Sequence, residues 1–162
     1  MLKVGAKMKS MKERIHQANT EQNLEKKVEL FSKLAVSYWH QSDLKNSKKF
    51  AQLTLNMAQN NNLQNLEASA LNTLGLINVS SNNYDKALNY FLQTLNVYKK
   101  IDNNPAIAIS LGNVGLIYLN MNDLDKALEY FLKAKRYVPQ KDDYNATYNT
   151  ESIIINTGIV YL

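Results

Sequence analysis

The sequence contains no cysteine, which excludes disulfides, zinc–thiolate centres and thiol nucleophiles and leaves the redox compartment open. Its five glycines are isolated from one another, so no glycine-rich loop is available to cradle a phosphate. Only two prolines, Pro105 and Pro139, interrupt 162 residues, which leaves long stretches free to be helical. No apolar run approaches the roughly 18 residues that a membrane-spanning helix needs. Lysines punctuate residues 1–19 throughout, so a secretory signal is not expected there. Histidine is scarce too. His16 and His40 fall on separate segments, nothing places a carboxylate beside either as a catalytic partner, and both are expected at the surface or in a groove.

Charge is also sparse where it would matter for nucleic acid. Five cations (Lys3, Lys7, Lys9, Lys12 and Arg14) against Glu13 place +4 of the formal net charge of +5 in residues 1–19. The body is nearly neutral and shows no basic stripe, so neither nucleic acid nor a membrane surface is expected as a partner. Residues 1–22 read as a basic N-terminal segment, expected to be a solvated terminus. The alternative is a leading helix with Met8, Met11 and Ile15 on one side, since Met11 falls forty residues before Ala51.

What is present is a hydrophobic fraction of 45%, enough for one domain with a core, and it recurs with a strict long period. Residues 111–139 read as two amphipathic helices joined by a polar turn. Leu111, Val114, Gly115 and Tyr118 form the apolar stripe of the first, and Leu124, Ala127, Leu128, Phe131 and Leu132 that of the second. Ala35, Gly75 and Gly115 are spaced by forty, as are Ser47, Ala87 and Ala127, and the N-cap candidates Asp43, Asn83 and Asp123. Gly158 continues the series after forty-three. A glycine inside a helix costs about 1 kcal/mol relative to alanine. Close helix–helix approach, with a large residue of one helix filling the space left by the other, is the expected compensation.

The text Leu111-x-x-Val114-Gly115-x-x-Tyr118, then Ala127-x-x-x-Phe131, then Pro139 resembles the tetratricopeptide repeat. The resemblance covers residues 23–162 and implies an all-α, right-handed solenoid of stacked antiparallel helix pairs: three pairs plus the first helix of a fourth. Three departures stand out. The period is forty, the first repeat has Ser47 and Ala51 where alanine and phenylalanine are usual, and Asn78 replaces a tyrosine. Looser packing of the second helix of the first repeat is expected from the second departure.

Such arrays bind partners on the concave wall made by their first helices. That wall is expected to carry Ser32, Lys33, Val36 and His40, then Asn72, Thr73, Leu76 and Ser80, then Gly112, Asn113, Leu116 and Asn120, and finally Ile155, Asn156 and Ile159. The resemblance implies a non-catalytic scaffold for a protein or an extended peptide, without cofactor or metal, in the sensory or docking part of a bacterial signalling protein. Asparagines at matching places would bond a peptide backbone; only Lys33 is available for a lysine-based carboxylate clamp. The apolar last helix, from Ile153 to Leu162, implies a piece of a longer array or a homodimer formed through that helix. The expected compartment is the cytoplasm, or the periplasm for a fragment of a membrane-anchored sensor. Asp123-x-Asp125 lacks the glycine and terminal glutamate of a calcium loop and is read as helix capping.

Overall fold

The computed structural model describes residues 10–138. They form seven helices: α1 (Met11–Thr20), α2 (Leu24–His40), α3 (Leu44–Asn60), α4 (Gln64–Ser80), α5 (Tyr84–Lys100), α6 (Asn104–Asn120) and α7 (Leu124–Lys135). No strand occurs among the described residues. The helix expected from Ile153 onward, with Ile155, Asn156 and Ile159, lies outside them, as does Pro139.

The helices stack in chain order, each on the one before it, and α2 also touches α4. The five from α2 to α6 are each 17 residues long and are separated by three-residue turns. A half-period of twenty thus underlies the period of forty. Its mark is a left-handed residue in each of the five turns from α2 to α7: Ser42, Asn62, Asn82, Asp102 and Asn122, all at φ between 52° and 61°. Short polar side chains tolerate that conformation, and it stops each helix by turning the chain back. The next helix starts on Asp43, Asn103 or Asp123, whose side chains accept the N–H of Asn46, Ala106 and Lys126 at 3.0, 3.2 and 3.1 Å. Asn83 does not cap: its side chain makes no such bond, and the expectation for it fails. Pro105 sits in the first turn of α6, where its missing N–H goes unused in any case.

The small residues do what their spacing implied. A Cβ placed on Gly75 would lie 2.5 Å from the Phe91 ring, and one on Gly115 2.6 Å from that of Phe131. The rings therefore press on bare backbone, with Phe91 and Phe131 buried. The first repeat solves the same contact differently. Alanines stand at both places, Ala35 and Ala51, and the ring one position earlier, Phe50, whose equivalents are Tyr90 and Tyr130, stacks on Tyr38 and Phe31. Ser47 is fully buried and donates to the Ala35 carbonyl at 2.9 Å. The second helix of this repeat is not loosely packed: Ser47 and Ala51 are fully buried and Phe50 is stacked against two rings of the first helix.

Residues 11–20 are no solvated arm. Ala18 is fully buried, and Met11 and Ile15 pack on the same core as Phe31, Leu34 and Ala51. Ala18 lies forty residues before Ala58, also fully buried, so α1 fills the second-helix place of a leading repeat.

Candidate functional site

Helices α2, α4 and α6 lie side by side and are joined by side-chain hydrogen bonds. Ser32 and Ser69 hydroxyls meet at 3.0 Å, and the Trp39 indole N–H donates to Ser80 Oγ at 3.1 Å, both between α2 and α4. Between α4 and α6, Asn113 Nδ2 donates to Asn72 Oδ1 at 3.0 Å. That bond uses one donor and one acceptor of the pair. The Asn72 amide N–H groups and the Asn113 carbonyl oxygen remain for another ligand.

The structure brings most of the expected wall together. Val36, Asn72, Leu76, Asn113 and Leu116 are half-buried at corresponding levels of the three helices. Lys33 is exposed and bound to Glu29 at 2.6 Å. His40 is exposed at the end of α2, its ring tilted over Trp39 with centroids 4.9 Å apart. Asn120 is exposed at the equivalent end of α6 but turns back to donate to the Leu116 carbonyl at 2.8 Å. Thr73 departs from the expectation. It is buried, and its hydroxyl donates to the Ser69 carbonyl one turn earlier, so it offers the wall nothing. Gly112 is buried as well.

Arg14, Leu30, Leu66 and Ser69 contribute to the same face and were missed by sequence reasoning. With Val36 and Ser32 they line a trough of about 770 Å³ that crosses α2 between α1 and α4. The register held a signal for Arg14. Its equivalents Thr54, Thr94 and Ala134 are small and buried, so an arginine at this place is out of pattern.

Titration shifts attach to the caps and the second helices. The Asn46 N–H and then the Asn46 side chain hold Asp43 below the usual carboxylate range. The Lys126 ammonium and then the Lys126 N–H do the same for Asp123, and Lys126 is raised in return. Burial pushes the Tyr98 phenol up. Among the described residues no group of His, Asp and Glu side chains converges in a metal-holding arrangement, and no helix is long and apolar enough to cross a membrane.

Forty-residue antiparallel pairs in sequential contact define a helical-repeat solenoid with an exposed wall of first helices. The chain belongs to the tetratricopeptide-repeat family, whose model matches residues 28–100 and 66–139. The fold is that of a protein-interaction scaffold. It is similar to the crystal structure of BtubC from P. vanneervenii, with a TM-score of 0.77 and 22% identity over 93% of this chain and 62% of that one. It is also similar to the apo form of RapI, with a TM-score of 0.74 and 19% identity over 90% of this chain and 53% of that one. Aspartyl phosphate phosphatase F from Bacillus subtilis matches with a TM-score of 0.77 and 19% identity, over 88% of this chain and 38% of that one. These likenesses are of fold, and the chain spans between 38% and 62% of the length of those three structures. The comparison with curated proteins returns no match.

Proposed function

We propose that this chain is a non-catalytic docking module of a bacterial signalling protein that holds an extended protein segment along the concave face of α2, α4 and α6. The observation that carries the reading is the Asn72–Asn113 pair, bonded across two helices at 3.0 Å and flanked by half-buried Leu76 and Leu116. An extended segment has backbone donors and acceptors that are costly to bury unpaired. The pair can satisfy them without reading sequence, and the leucines can accept side chains that supply selectivity. The signalling role is supported by the kind of structures that share the fold. They include a signal-transduction ATPase with a tetratricopeptide-repeat sensor from Pyrococcus horikoshii. The cytoplasm is the compartment that fits such a module.

The test is capture of a partner from a bacterial lysate by the wild-type chain and by an Asn72→Ala, Asn113→Ala double variant. Removing both amides leaves neither unpaired, so the fold should hold. Affinity for a true groove partner should fall by about 1–3 kcal/mol. Because Asn72, Asn113, Leu76 and Leu116 carry no charge, binding to that stretch of the wall should depend weakly on salt. Undiminished capture by the double variant would place the partner elsewhere. For self-association through Ile155 and Ile159, the molar mass in solution decides: a monomer at high concentration excludes it.

A further inference from the structure

We propose that the trough across α2, between α1 and α4, anchors a peptide by an aliphatic side chain with an acidic side chain beside it, and that Arg14 is the receptor for the carboxylate. This deepens the groove reading and rests on it. The trough holds about 770 Å³ and is floored by the Ser32–Ser69 pair, whose hydroxyls bond each other at 3.0 Å. Leu30, Val36 and Leu66 are half-buried on its sides and gain from being covered.

The charge is arranged for an anion. Two cations and one carboxylate line the trough: Arg14, Lys33 and Glu29. Lys33 and Glu29 neutralise each other at 2.6 Å. Arg14 is half-buried, and its guanidinium donates to Ser37 Oγ at 3.3 Å; among the described residues no carboxylate lies within ion-pair distance of it. A guanidinium has five N–H donors in a planar fork that matches a carboxylate, and this one spends a single bond on a neutral hydroxyl.

The repeat register makes the arginine a departure rather than a default. The three equivalent places hold Thr54, Thr94 and Ala134, each buried inside the stack. In α1 the same place faces the trough, and there the side chain is long and charged. One cation set among aliphatic groups fits a peptide with a single acid beside an apolar residue. A nucleic acid or lipid surface would call for a row of cations. The source assigned is a side-chain carboxylate, because the wall continues from the trough toward Asn72 and Asn113, and a segment long enough to use both runs past Arg14 within its chain.

The probes are N-acetylated, C-amidated decapeptides of glycine and serine with a central Leu-Glu, Leu-Gln or Ala-Glu, plus a free-acid Leu-Gln peptide. Binding to the intact chain is read by calorimetry and by the fluorescence of Trp39, the single tryptophan. Leu-Glu should bind at least tenfold more tightly than Leu-Gln or Ala-Glu, with the difference shrinking as salt rises. Arg14→Gln should erase the Glu-over-Gln preference while leaving the circular dichroism and melting midpoint in place, and Arg14→Lys should restore part of it. Equal binding of Leu-Glu and Leu-Gln, an Arg14→Gln variant that keeps the preference, or no binding of any peptide overturns the proposal. A free-acid Leu-Gln that matches Leu-Glu overturns the side-chain source. Leu116→Asp separates the two readings. If it abolishes capture of a lysate partner while the peptides fail to discriminate, the groove stands and the Arg14 site falls. If capture survives Leu116→Asp, the groove reading itself falls.

Discussion

Repeats one and three carry the same job in two different ways. In repeat three, Phe131 lies on the bare backbone of Gly115, and helix α7 comes close to α6 because nothing projects from that glycine. In repeat one, alanines occupy both places and Phe50, one residue earlier, stacks on Tyr38 with centroids 5.6 Å apart. The corresponding rings of repeat three, Tyr118 and Tyr130, also stack, at 5.4 Å. Repeat three therefore has two aromatic layers between its helices and repeat one has one. Repeat two keeps the phenylalanine layer through Gly75 and Phe91 but loses the other, since Asn78 replaces the tyrosine and bonds the Leu74 carbonyl of its own helix at 2.7 Å. Glycine and phenylalanine are thus one unit. Among the described repeats either appears only where the other does, and repeat one, without them, keeps only the neighbouring ring, Phe50, that Tyr90 and Tyr130 match in the other two.

The largest effect should come from taking the ring out of that unit. Phe131→Ala or Phe91→Ala leaves a cavity against backbone that cannot collapse into it, and should cost about 3–5 kcal/mol by denaturant midpoint. Phe50→Ala should cost a similar amount, although it stands at a different position, because it is the ring on which repeat one depends. A small loss there would show that Ala35 and Ala51 close the interface unaided.

The reverse change comes next. Gly75→Ala raises helix propensity by about 1 kcal/mol. Its Cβ, however, would sit 2.5 Å from a rigid buried ring, and overpacking of this kind costs about 1–3 kcal/mol. Loss of stability is therefore expected. Combining it with Phe91→Ala recreates the pair found in repeat one. The double variant should be more stable than Phe91→Ala alone, since the new methyl enters vacated space and the propensity gain is no longer opposed. Strictly additive losses would mean that the glycine and the ring are not coupled.

Residues in contact across helices were the legible part of the sequence, because a Gly and a Phe that share a period can be paired on paper. The antiparallel pairs and two of three proposed caps could be read from spacing in the same way. The twenty-residue half-period could not be read from the helices, because first and second helices bury different faces. Its trace is in the turns, where Asn62, Asn82, Asp102 and Asn122 recur every twenty residues after Ser42, all left-handed in φ. Nor could the sequence show that Thr73 turns inward or that Asn72 and Asn113 bond each other, since a helical projection of a single helix does not hold its neighbour. Arg14 was hidden for a third reason. The register reaches its helix, through Met11 and Ala51, but does not show that this place opens onto a trough instead of being buried in the stack as at Thr54, Thr94 and Ala134.

A smaller effect tests the turns. Ser42 is the only one of the five left-handed residues that is neither asparagine nor aspartate, the types that tolerate this region best after glycine. Ser42→Gly should stabilise by about 0.5–1 kcal/mol, and Asn122→Gly by less. Equal gains at the two sites would remove the distinction between the first turn and the last.

The smallest expected effect separates the caps of repeats one and three from that of repeat two, and it is a dependence on pH. Asp43 and Asp123 accept a backbone N–H as carboxylates and lie below their ordinary pKa in the folded chain, whereas Asn83 cannot titrate and bonds nothing from its place. A carboxylate whose folded pKa is depressed binds a proton more readily in the unfolded chain. Its contribution is complete above the unfolded value of about 3.9 and is lost as pH falls through the folded value. Stability should therefore decline below about pH 4, with Glu21, held down chiefly by the Asn23 N–H, adding to the same limb. Asparagine can accept the same N–H without titrating. The Asp43→Asn, Asp123→Asn double variant should then match the wild type closely at pH 7 and lose less of its urea midpoint between pH 5 and pH 3. An acid limb of unchanged depth would assign the loss to other carboxylates and leave these two caps as ordinary hydrogen bonds, no different in their electrostatics from the amide at repeat two.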